Sequence, residues 1–232
     1  MTVLCVRMGA LPPVPSRVST AVQRKIEAGD FYDAQQLVKT FASRYNTKGQ
    51  PDVAVSICLG FAPQFAEKHR GALTLDLAYA AMQYLQQQED PPTDEQLEVI
   101  ASLLGIATSR PEGGPTVKDV SRYVSSAVKW SLRIPNSTVG SLLIHNKAAI
   151  AYSRLGNYGL AQGHCIYGGD SHAMAEIVSL SADGCLLRTW TPQGYPSESG
   201  FFWLRAVLML LCVKRTDVAE SLLMNHSDVD WR

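Results

Sequence analysis

Two strings of one design, GDFYDAQ at 29–35 and GNYGLAQ at 156–162, constrain this chain more than any other feature of it. Each runs Gly, then Asp or Asn, an aromatic residue, two variable positions, Ala and Gln. Apolar residues recur at helical spacing on both sides of the first string: Val18, Val22 and Ile26 before it, then Phe31, Ala34, Leu37, Val38, Phe41 and Tyr45 as a buried stripe after it. Glycine adopts the left-handed C′ conformation that ends a helix without steric penalty, so Gly29 predicts a helix end. The Asp30 carboxylate is then placed to cap the next helix. The string is the corner of a helix hairpin, with Ala34 letting the two backbones approach. Asn157, Tyr158 and Ala161 supply the same parts in the second copy. A repeated corner predicts a repeated unit, an array of helix pairs that bury one another's apolar faces.

Further helices are expected at about 52–68 (with a kink at Pro63), 71–88, 94–109, 116–133, 138–155, 157–167, 172–188, 198–213 and 216–225. Pro91–Pro92, RPEGGP at 110–115 and Pro135 punctuate them. Strand-like alternation is scarce, and only 180–197 has the composition of a loop or short hairpin. The expected fold is all-α, an α-solenoid of TPR-like helix hairpins, although the period does not match the tetratricopeptide consensus. We expect a flexible leader over 1–15 and a single repeat domain over 16–232, with halves of about 16–135 and 136–232.

Formal net charge is zero, which excludes whole-molecule attraction to nucleic acid or membrane. The charge is nevertheless segregated. Residues 1–50 carry seven Lys/Arg against three Asp/Glu, and residues 51–115 carry three against nine. A basic end of this kind suits an acidic partner. Cys5, Cys58, Cys165, Cys185 and Cys212 are odd in number and form no C-x-x-C pair, the pattern of reduced thiols in the cytosol. The longest apolar run, Ala206–Val213, is far short of the roughly 20 residues that cross a bilayer.

Projected at about 100° per residue, Arg17 and Arg24 fall opposite the Val18/Val22/Ile26 stripe, with Lys25 beside them. On the second helix Tyr32, Gln36 and Lys39 line up away from the apolar stripe, with Arg44 at the flank. Paired through the Gly29 corner, the two helices are expected to present one basic surface carrying an outward Tyr. The only cluster with enzyme-like composition is GHCIYGGDSH, where His164, Cys165, Asp170 and His172 are of the types a zinc site or a Cys–His pair uses. Its spacing matches no structural zinc pattern, and neighbouring His164 and Cys165 point about 100° apart on a helix. No phosphate-loop or nucleophile-elbow motif is present in the sequence. No cofactor or metal is expected.

KIEAGDFYDAQQLVKTFASRY (Lys25–Tyr45) resembles the N-terminal helix pair of the guided entry of tail-anchored proteins factor 4 family. VSSAVKWS (Val124–Ser131), the stretch from GNYGLAQ to AEIV, and GYPSESGFFWLRAVLMLLCVK (Gly194–Lys214) are similar to later blocks of the family, in the same order. The resemblance covers about 17–214, is poor over 52–109, and family members continue past the position of Trp231, so the chain is expected to be a C-terminally shortened member. It implies a cytosolic adaptor without catalysis of its own, acting in delivery of tail-anchored membrane proteins to the endoplasmic reticulum. It implies two partners: a homodimeric, ArsA-like targeting ATPase held by the N-terminal helices, and a ubiquitin-like protein held by the C-terminal half. It supports Lys25, Tyr32, Lys39 and Arg44 as ATPase contacts, and adds Asp76, which falls where family members also carry Asp; Arg17, Arg24 and Gln36 rest on helical geometry. The alternative readings are a general helical-repeat scaffold, or a thiol or metal enzyme centred on 164–172.

Overall fold

The computed structural model describes residues 11–109, 113–168, 195, 197 and 199–224. Among these lie ten α-helices and no strand: α1 (Ser16–Glu27), α2 (Phe31–Thr47), α3 (Pro51–Glu67), α4 (Gly71–Leu85), α5 (Asp94–Ala107), α6 (Val117–Ser131), α7 (Leu142–Arg154), α8 (Tyr158–Gly168), α9 (Ser199–Cys212) and α10 (Thr216–Met224). The expected helix at 172–188, and nearly all of the 180–197 segment, lie outside the described residues. The fold is the expected all-α solenoid of helix hairpins.

The corner motif is more frequent than its two sequence copies. At Gly29 (φ 80°) the N–H donates to the Ile26 carbonyl and the Asp30 N–H to that of Lys25, the paired bonds of a Schellman turn. The same pair of bonds closes helices at Gly49, His69, Gly156 and Lys214, all with positive φ. His69 and Lys214 adopt this conformation against the preference of a residue with a Cβ, which is why neither stands out in the sequence. Starts are specified differently. Asp30 does not cap α2 as expected: its side chain accepts no N–H from that helix and turns to Lys25 instead. Asn157 does cap α8, accepting from the Leu160 N–H at 3.2 Å. Thr93–Gln96 and Thr116–Asp119 form full capping boxes on α5 and α6 that sequence reading overlooked.

The chain divides into two compact units, residues 1–144 and 145–232. In the first, successive helices from α1 to α6 pack on one another, and α2–α4, α3–α5 and α4–α6 pack on the next but one, the contact pattern of stacked hairpins. Helix α3 is the middle layer. It buries Ala54, Val55, Ile57, Cys58, Phe61, Ala62 and Phe65 and so is apolar on nearly every side. It also runs through Pro63, which cannot donate to the Leu59 carbonyl. Val14, from the expected leader, rests against this helix at Gly60, where an added Cβ would lie 3.0 Å from its methyl. The α2 stripe differs from expectation: Ala34, Gln35, Val38 and Ala42 are buried, whereas Phe31, Leu37, Phe41 and Tyr45 are half-buried. Small residues at the contact bring the backbones together, which pushes the large side chains to its margins.

In the second unit Ile166, Ala206, Val207, Leu210, Val218, Ala219 and Leu222 form the apolar cluster joining α8, α9 and α10. Within the first unit, glycines show where backbones touch. A Cβ on Gly71 would lie 2.2 Å from the Ala107 carbonyl oxygen, so α4 starts directly on the end of α5. A Cβ on Gly105 would meet nothing within 4 Å. We expect Gly105→Ala to stabilise the protein by about 0.5–1 kcal/mol and Gly71→Ala to destabilise it by about 1–3 kcal/mol, measured by urea denaturation.

Candidate partner-binding surface

The α1–α2 hairpin carries most of the residues singled out above. Arg17, Arg24, Tyr32, Gln36 and Arg44 are exposed, and Lys25 and Lys39 are half-exposed. Tyr32 is 69% exposed, a large apolar group standing out at the corner. It borders an open depression of about 610 Å3 lined by Asp30, Phe31, Asp33, Arg70 and Leu73. Arg70 lies over the Phe31 ring at 5.1 Å, which holds that wall in place. The cations divide into two groups. Arg17, Arg24 and Arg44 make no ion pair with a described residue. Lys25 instead bridges Asp33 at 3.1 Å and Asp30 at 3.2 Å, and these carboxylates, Asp33 first, raise its pKa.

Lys39 and Asp76 meet. The Asp76 carboxylate accepts from Gln35 Nε2 at 2.6 Å, from Lys39 Nζ at 2.8 Å and from Arg122 at 3.1 Å. Arg122 is further held over the Tyr79 ring at 4.6 Å. One half-buried carboxylate thus ties α2, α4 and α6 together. Cys58 lies below this knot, where burial pushes its thiol up to about 12. Sequence reading missed Gln35 and Arg122. Gln35 had a signal, because the repeated strings share their final Gln. Arg122 had none, since it lies far from Asp76 in the chain and meets it only through the stacking of α4 and α6. The equivalent Gln162 is also buried, and its amide has no hydrogen-bond partner among the described residues.

The enzyme-like cluster comes apart. Cys165 is buried, and Asp170 and His172 lie outside the described residues. His164 turns to His145, their Nδ1 atoms 2.9 Å apart, and stacks on Tyr152. Burial, and secondarily the charge of His145, lowers the His164 pKa to about 4. Two nitrogens at this separation share a single proton, so the pair is an interhelical clasp between α7 and α8. Among the described residues no group of three or more His, Cys, Asp and Glu is placed to hold a metal.

Stacked hairpins with an exposed cationic and aromatic end define a helical-repeat protein. Comparison with known proteins agrees. The family model described as Golgi to ER traffic protein 4 matches residues 48–227, and the chain belongs to that family. It is 25% identical over 212 residues to the Golgi to ER traffic protein 4 homolog of Oryzias latipes, covering 91% of this chain and 61% of the relative. The Homo sapiens homolog is 25% identical over 204 residues, covering 88% and 58%. The Dictyostelium discoideum homolog is 25% identical over 206 residues, covering 89% and 62%. The chain therefore spans about three fifths of the length of these relatives. The crystal structure of C. therm. Get4 shares the fold, with a TM-score of 0.71 at 20% identity, covering 92% of this chain and 68% of that one.

Two measurements check the geometry. Asp76→Ala strands the buried Gln35 amide and is expected to cost about 1.5–3 kcal/mol in urea denaturation. Lys39→Met removes only a half-exposed ion pair and is expected to cost about 0–1 kcal/mol. For the His145–His164 clasp, the unfolded imidazole takes a proton below about 6.5 whereas the folded one resists until about 4. Stability is therefore full above pH 6.5 and is lost as pH falls toward 4. We expect a pH-dependent loss on the order of 2 kcal/mol, flattened in His164→Phe.

Proposed function

We propose that this chain is a cytosolic adaptor in the delivery of tail-anchored membrane proteins to the endoplasmic reticulum, and that α1 and α2 hold a homodimeric targeting ATPase. What carries the reading is the exposure of Tyr32 among Arg17, Arg24 and Arg44, together with membership of the Golgi to ER traffic protein 4 family. Tyr and Arg are enriched among interface hot spots, Tyr because its rigid ring buries a large area at small entropic cost and Arg because its planar fork donates several hydrogen bonds at once. Three guanidinium groups with no ion-pair partner among the described residues also speed encounter with an acidic surface. Lys25, Lys39 and Asp76 have a different part. Their charges are already matched within the hairpin array, so they hold the surface in shape and exchange partners only when the ATPase docks. The ubiquitin-like partner is assigned to the C-terminal half on resemblance to the family. No helix among the described residues is long and apolar enough to cross a membrane, in keeping with an adaptor that hands clients on.

The test is binding of the purified chain to the ATPase with ATP held unhydrolysed, followed by calorimetry and by co-elution. Tyr32→Ala is expected to weaken binding by about 2 kcal/mol, about thirtyfold. The double variant Arg24→Glu, Arg44→Glu is expected to slow association and remove most of its salt dependence. Both changes lie on exposed positions, so helical content stays unchanged. Wild-type affinity in both variants would overturn the assignment of this face.

A further inference from the structure

A second surface, on the acidic part of the chain, carries an inference independent of the ATPase face. No Lys, Arg or His occurs between residues 71 and 109, whereas Glu89, Asp90, Asp94, Glu95 and Glu98 fall within ten positions. Asp94 and Glu95 have a local reason to be there, because carboxylates in the first turn of α5 oppose the helix dipole. Glu98 lies beyond that turn. It is exposed, and neither it nor Asp94 makes a hydrogen bond or ion pair with another described residue.

These two carboxylates border a groove of about 700 Å3 that runs between α5 and the α6–α7 connector. Leu97 lines it from α5, Ile134 and Val139 from the connector, and Leu142 from the first turn of α7. Leu142 is 48% exposed. The connector wall is braced. The Ser137 hydroxyl accepts from the Gly140 N–H and donates to the Gly140 carbonyl, both at 2.9 Å, and the Ser141 N–H donates to Ser131 Oγ at 2.9 Å. Gly140 has φ 88°, and a Cβ there would lie 2.4 Å from the Ser131 hydroxyl, so the loop is pinned against α6. The groove is therefore preformed and costs little ordering to fill.

Among the described residues of this unit, none pairs with Asp94 or Glu98. The cation that leads into the connector, Arg133, is spent elsewhere: its guanidinium donates to the carbonyls of Leu85, Gln86 and Gln88 at the end of α4. An apolar trough bordered by carboxylates that no described residue pairs with, and with braced walls, fits a complementary ligand of opposite charge. We propose that this groove docks a short basic segment of a partner protein, in which an aliphatic side chain enters between Leu97 and Leu142 and flanking Lys or Arg residues meet Asp94 and Glu98.

The probe is a fluorescein-labelled amphipathic peptide of about 12 residues made of Leu and Lys, titrated with the full chain and followed by fluorescence anisotropy. A Leu and Glu peptide of the same pattern serves as counterpart. The Lys peptide is expected to bind with salt-dependent affinity and the Glu peptide not to bind. Glu98→Lys is expected to weaken the Lys peptide about tenfold and Leu142→Asp about fivefold, while Glu89→Lys with Asp90→Lys changes it less than about twofold. Circular dichroism checks that each variant keeps its helix content. Equal weakening by the Glu89/Asp90 pair would reduce the effect to diffuse surface attraction and overturn the proposal. Indifference to Glu98→Lys and Leu142→Asp, comparable binding of the Glu peptide, or no binding of the Lys peptide would overturn it as well.

Discussion

The structure depends on how its helices stop. A helix that ends in a left-handed residue with both Schellman bonds leaves along a defined direction, so the next helix folds back antiparallel within a few residues. This happens at residues 29, 49 and 69 in succession, and again at 156 and 214. The regular spacing of the first three gives α2 and α3 equal length and sets them side by side. Burial then follows from the stacking: α3, covered by neighbours on several sides, buries residues around most of its circumference, while α1 keeps a single stripe of Val18, Val22 and Ile26.

Charge is arranged on that frame in layers. Asp76 draws Gln35, Lys39 and Arg122 inward and links three helices that are distant in the chain. Lys25 is drawn to Asp30 and Asp33 at the corner. Exposed on the α1–α2 face, with no ion pair to a described residue, are Tyr32, Arg17, Arg24 and Arg44, and these groups carry the recognition proposed for it. The pairing of the inner charges makes the outer ones legible: residues already satisfied shape the surface, and residues left over have interaction energy to give a partner.

The same reasoning separates the two faces of a molecule whose net charge is zero. One end of the first unit presents guanidinium groups and a tyrosine, and its groove beside α5 presents carboxylates around an apolar floor. An adaptor gains from such a division, because each surface repels the ligand of the other. The histidine clasp of the second unit belongs to a different class. It replaces a cluster that had the composition of a reactive site with a half-buried pair in which burial suppresses protonation of His164.

The sequence by itself determined the all-α class, the hairpin corners at Gly29 and Gly156, nearly every helix boundary among the described residues, and the outward direction of Tyr32 and its cationic neighbours. Those properties are local: periodicity selects the helix face, and a glycine after an apolar stripe selects the turn. The Thr93 and Thr116 capping boxes were equally local, and were readable though unread. Only the tertiary structure decided that Asp30 serves Lys25 instead of capping α2, that Gln35 and Arg122 close on Asp76, that His164 faces His145, and that Glu98 stands exposed beside a braced groove. Each of these joins residues on different helices, or depends on which of several nearby groups wins a side chain. Periodicity orients a residue about its own axis, but stacking decides which foreign residue it meets.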